Sequence, residues 1–128
     1  MSRVWNWLDI FDIRAIHSAQ ISRHGGLEGV RDQGMIESAL ARPRNLAAYG
    51  GPDAADLAAA YAFGIARNHG FLDGNKRTAW VAARVFIADN GFSLAFNQIE
   101  GYQFMMSVAE GTKAEASVAA WFRDRIGP

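Results

Sequence analysis

Cysteine is absent from this 128-residue chain, which excludes disulfide cross-links, thiol nucleophiles and thiolate-bound metals. Net charge is absent too, because thirteen Lys and Arg balance thirteen Asp and Glu. That removes the general electrostatic case for nucleic acid or an anionic membrane as partner, so any cationic site must be local. No apolar run approaches membrane-spanning length, and the stretch from Met1 to Trp7 lacks a secretory apolar region. A cytoplasmic protein without membrane contact is therefore expected. Repeats, linkers and low-complexity tracts are missing as well. The length fits a single domain over residues 1–128 with one core, and a half-apolar composition argues against disorder.

Helical signals fill the chain. Asp9 can cap a first helix with Asp12 in its first turn, and Gly25-Gly26 stops it. Asp32 can cap a second helix from Gln33 to about Ala41, with Pro43 closing it. Arg42 to Pro52 then reads as the longest irregular stretch. Asp53 opens an alanine-rich helix through about Asn68, with Leu57, Tyr61, Phe63, Ile65 and Ala66 as core contacts. The run from about 75 to 90 is apolar almost all round, which is the pattern of a buried central helix. Asn97 with Glu100, and Thr112 with Glu115, match capping-box spacing and open two last helices. Phe92 to Phe96 is compatible with one short extended segment. The expected class is all-α, a helical bundle around the 75–90 helix.

One nine-residue stretch carries chemistry: His69-Gly70-Phe71-Leu72-Asp73-Gly74-Asn75-Lys76-Arg77. A titratable base, a carboxylate, an amide and two cations stand beside glycines at the start of a helix. Each has a plain structural alternative, His69 as a structural histidine and Asp73 as a helix cap among them. Adjacent cations in a first helical turn, however, oppose the helix dipole unless an anion is near. The combination points to phosphoryl or nucleotidyl transfer. A nucleotide-binding P-loop is excluded by spacing: three residues, not four, separate Gly70 and Gly74, and Asn75 separates Gly74 from Lys76. His17 and His24 lie seven apart without a carboxylate at ligand spacing, and are assigned no role.

The stretch resembles the signature of the Fic/Doc superfamily, His-x-Phe-x-Asp/Glu-Gly/Ala-Asn-Gly/Lys-Arg. The resemblance extends to His24-Gly25-Gly26-Leu27, Arg31-Asp32-Gln33-Gly34 and Glu37 through Pro43, which are similar to the front half of death-on-curing (Doc) toxins. Fic adenylyltransferases have Gly where this chain has Lys76, and a second Arg where it has Trp80. Doc proteins share the Lys and lack that Arg. The resemblance therefore implies a toxin of a toxin–antitoxin system, an ATP-dependent kinase phosphorylating a hydroxyl of a translation factor, with elongation factor Tu the expected target. An adenylyltransferase, or a non-enzymatic binding domain with a degenerate motif, are the alternatives.

The roles it implies are specific. His69 is the general base, a task for which imidazole is the commonest side chain at neutral pH. Phe71 anchors the loop. Asp73 is the catalytic carboxylate holding Mg²⁺. Gly74, Asn75, Lys76 and Arg77 bind the nucleotide phosphates, Asn75 by bonding either the loop or a phosphate oxygen, and Lys76 and Arg77 also stabilise the transition state. Gly70 stands where many relatives carry Pro, which is expected to loosen the placement of His69. A flap for the target is expected in Arg42 to Pro52. Self-inhibiting relatives carry Ser/Thr-x-x-x-Glu; Ser107-Val108-Ala109-Glu110 is one residue short. Neutralisation by a small separate antitoxin near the active site is the expectation.

Overall fold

A computed structural model describes residues 3–128. Its elements run α1 (Ile10–His24), α2 (Gln33–Tyr49), α3 (Ala54–Asn68), α4 (Asn75–Asp89), β1 (Ser93–Leu94), α5 (Gln98–Glu110), α6 (Glu115–Arg123) and β2 (Ile126–Gly127). The two short strands pair antiparallel, Ser93 opposite Gly127. The all-α class holds, and none of the described helices is long and apolar enough to cross a membrane.

Local chemistry sets most helix starts. Asp9 with Asp12 and Asp53 with Asp56 form reciprocal capping boxes, and Asp32 and Asn97 accept single cap bonds from Met35 and Glu100. Thr112 and Glu115 do not form the expected box. The Thr112 hydroxyl donates to the Ser107 carbonyl, α6 begins on an uncapped Ala114, and the Glu115 carboxylate pairs with Arg42 instead. A cation from α2 competes successfully with the backbone for that carboxylate.

Pro43 likewise does not end α2. The helix runs on to Tyr49, so most of the expected Arg42–Pro52 loop is helical. A proline inside a helix costs about 3 kcal/mol. Here its ring is fully buried, and good helix formers follow it in Leu46-Ala47-Ala48.

The most enclosed position belongs to α3 rather than α4. Eleven of its fifteen residues are buried, and α2, α4, α5 and α6 all pack on it. Alanine and glycine make this possible, since small side chains let neighbouring backbones approach. An added Cβ on Gly64 would lie 3.3 Å from the Ala39 Cβ. α4 is amphipathic: Ala79, Ala82, Ala83, Phe86 and Ile87 face the core, while Arg84, Ala88 and Asp89 are exposed. Phe86 gathers Tyr61, Trp5 and Trp7 around it. The Tyr61 hydroxyl accepts the Leu8 N–H at 3.0 Å, and burial pushes its pKa up to about 12.

Arg123 closes α6 onto the start of α3. Its guanidinium donates to both Asp53 carboxylate oxygens, at 2.7 and 3.0 Å, and to Asp56 at 2.8 Å. These bonds pull the Asp53 pKa down from 3.8 to about 2. A folded-state pKa below the unfolded one stabilises the fold above pH 3.8, and that stability is lost as pH falls toward 2. Because the pair is half exposed, Arg123→Ala should cost at most about 1 kcal/mol at pH 6. Urea titrations of both chains should show the difference shrinking between pH 4 and pH 2 (roughly the Asp53 window).

Candidate active site

The motif occupies the loop from α3 to α4 and the first turn of α4. His69 ends α3 in the left-handed conformation at φ 51, the sole described non-glycine residue with positive φ. Its side chain is exposed, and its carbonyl accepts a 2.7 Å bond from Arg31 Nε. Arg31 also donates its backbone N–H to the Gly70 carbonyl at 2.8 Å, and the Asp32 N–H joins at 3.0 Å. Val30 bridges Phe71, and the Leu72 N–H donates to the Gly29 carbonyl. Residues 25–32 therefore run antiparallel against the motif loop. That place was expected for Arg42–Pro52, whose residues line shallow surface hollows with Asp56, Glu115 and Ala119 and touch no motif residue there.

Gly70 is not a loose point. It is buried, and an added Cβ would lie 2.3 Å from Ile36 Cγ1. The glycine answers to close packing against α2, not to loop freedom. Phe71 is 2 % exposed and stacks on the His17 ring, centroids 3.8 Å apart. Asn75 bonds both polar groups of the Phe71 backbone at 3.0 Å, accepting its N–H and donating to its carbonyl. Of the two uses open to Asn75, the loop one is what this geometry displays.

Asp73 does not cap α4; Gly74 does, in the left-handed conformation at φ 74. The Asp73 carboxylate is exposed and accepts the Leu27 N–H at 3.2 Å and the Gly74 N–H at 2.9 Å. Those donors, Leu27 first, with Arg77 and His17 nearby, hold its pKa below the ordinary carboxylate range. It is ionised at neutral pH. No group of three or more acidic or imidazole side chains that could hold a metal occurs among the described residues. Asp73, exposed and ionised, is the carboxylate of the motif that would meet a Mg²⁺ carried in by phosphates.

Lys76 and Arg77 both line a cleft of about 540 Å³ and reach different neighbours. Lys76 Nζ lies 2.8 Å from the Met106 sulfur on α5, while Arg77 donates to the Gly25 carbonyl at 3.3 Å. A thioether is a weak acceptor, so the ammonium has no ionic partner among the described residues. Arg23, His24 and Arg84 join them on the lining, and no carboxylate does. In a chain of zero net charge this is a local concentration of positive charge. His69 and Asp73 do not line it; they stand on the loop ahead of α4. Trp80, the position of the second Arg in adenylyltransferases, is half-buried. Its ring packs on Phe96, Phe104, Trp121 and Phe122, with centroids 5.0 to 6.4 Å away.

Sequence reasoning missed His17, Arg31, Leu27, Arg23 and Arg84. All but Arg84 lie at least 38 residues before the groups they meet, and most act through or upon backbone atoms, which leave no spacing pattern.

The chain is 36% identical over 117 residues to "Protein kinase doc" of Escherichia phage P1, covering 91% of this chain and 92% of that one. It is 49% identical over 75 residues to "Toxin Doc" of Mycolicibacterium smegmatis, covering 56% of each. The model of the Fic/DOC family matches residues 7–87, which include the whole loop, the α1 floor beneath it and the antiparallel segment beside it. This chain belongs to the Fic/DOC family.

Proposed function

We propose that this protein is the toxin of a toxin–antitoxin pair, a kinase that moves the γ-phosphate of ATP to a hydroxyl of a translation factor, elongation factor Tu. The observation that carries the choice of reaction is the pair Lys76 and Trp80. Lys76 places an ammonium in the cleft where adenylyltransferases keep a glycine for phosphate approach. Trp80 is committed to an aromatic cluster where they need an arginine.

In this reading Lys76 and Arg77 hold the phosphate chain from two sides, and the backbone N–H groups of Asn75, Lys76 and Arg77 at the start of α4 add donors. Asp73 would hold Mg²⁺, which on binding supplies positive charge against the phosphate oxygens. His69 takes the proton of the target hydroxyl as its oxygen bonds to the γ-phosphorus and the bond to ADP breaks. The exposed edge beside residues 25–32 leaves His69 open to a protein substrate. The antitoxin acts in trans, near the same cleft.

ATP labelled separately at the α and γ phosphates, incubated with elongation factor Tu, tests this. Only γ-label should enter the protein. α-label in the product would establish adenylyl transfer, and label in neither form would favour a binding domain.

A further inference from the structure

The mechanism leaves a buried imidazole unused. His17, on α1, is 5% exposed and lies directly beneath the motif loop. Its Nε2 is 2.8 Å from the Asp73 carbonyl oxygen, and a carbonyl acceptor requires the proton on Nε2. Its ring is nearly parallel to Phe71, 7° between planes. One turn further along α1, Ile21 completes the floor. An added Cβ on either Gly26 or Gly74 would stand 3.1 Å from Ile21 Cδ1.

Asp73 is thus tethered at three points. Leu27 and Gly74 hold its carboxylate through loop backbone, and only His17 holds it from within a helix. At the other end of the loop, Arg31 holds the His69 carbonyl. We infer that His17 is a positioning residue for phosphoryl transfer, its Nε2–H fixing the place of Asp73 relative to His69 while the stack on Phe71 seats its own ring. His17 touches no reacting atom. It acts through Asp73, so the inference rests on the reading of Asp73 as the carboxylate that meets the metal.

Two substitutions separate its contacts. His17→Phe keeps a ring on Phe71 and removes the donor; His17→Gln keeps a donor near Nε2 and removes the stack. The probe is Mn²⁺–ATP affinity by paramagnetic resonance, with kcat and KM for γ-labelled ATP and elongation factor Tu, and melting temperature as the fold control. In His17→Phe, Mn²⁺–ATP affinity and kcat should each fall about tenfold, KM for the protein substrate staying unchanged. His17→Gln should recover both to within roughly threefold of the parent chain. Parental affinity and kcat in a folded His17→Phe would overturn the inference, as would a folded His17→Gln that is no better. Should His17→Phe not fold, His17→Leu, which also lacks a donor, takes its place and is read by the same tenfold loss. Asp73→Asn is the separate control: parental Mn²⁺–ATP affinity there would overturn the reading of Asp73 itself.

Discussion

His69→Asn should leave a folded chain whose phosphoryl transfer has fallen by about 10²–10⁴-fold, the usual contribution of a positioned general base. Asparagine isolates the chemistry better than alanine at this site. The residue sits at φ 51, and asparagine enters the left-handed region more readily than any other residue without an imidazole or glycine's freedom. The His69 side chain is exposed, and the one described hydrogen bond of the residue is accepted by its backbone carbonyl from Arg31. Asparagine keeps that carbonyl in place. Its amide has no basic nitrogen, so the target hydroxyl keeps its proton. The melting temperature should therefore stay within a degree or two (roughly the ±0.5 kcal/mol of surface substitutions). Cells expressing the variant without antitoxin should grow. Continued arrest by the variant would mean that toxicity comes from binding and not from transfer.

How far the sequence announces this site depends on the range of each interaction. Asp9, Asp32, Asp53 and Asn97 mark their helices because a cap is a contact three residues long. The motif is legible for the same reason, as its residues share one loop and one turn. Pro43 misleads because the local penalty is visible while the burial that offsets it is not. Glu115 misleads because its partner, Arg42, lies on another helix. The exchange of places between α3 and α4 has a volume cause. Alanine scores as a weak apolar residue, yet it is what lets four helices close on α3. His17 was invisible as a functional residue because its acceptor is a main-chain carbonyl 56 positions away. Net charge concealed the cleft in a similar way: Lys76, Arg77 and Arg84 share α4, and Arg23 joins them only when α1 packs against that helix.

Gly70→Ala should be the most destabilising small substitution in the loop, by about 1–3 kcal/mol, the range for overpacking a full core. The cause is steric, since the φ of Gly70 is not positive and alanine faces no conformational penalty there. The new Cβ would meet Ile36 Cγ1 at 2.3 Å and Ile36 N at 3.2 Å, and Ile36 is itself 3 % exposed. Neither partner can yield freely, because Ile36 is packed on α2 while the Gly70 carbonyl is fixed by the Arg31 and Asp32 N–H groups. The melting temperature should drop by roughly 3–10 °C. Transfer should fall as well, because the loop moves between His69 and Asp73. Proline carries a Cβ in the same place, so Gly70→Pro, the residue of many relatives, should be no better tolerated in this chain. Ile36→Ala removes the colliding Cγ1 at the cost of a cavity. Singly it should cost about 2–5 kcal/mol. Combined with Gly70→Ala it should be more stable than the sum of the two by about 0.5–3 kcal/mol, since the added methyl fills part of the space vacated. Strict additivity in urea titrations of the four chains would refute the collision, and with it the claim that close packing against α2 holds Gly70 in place.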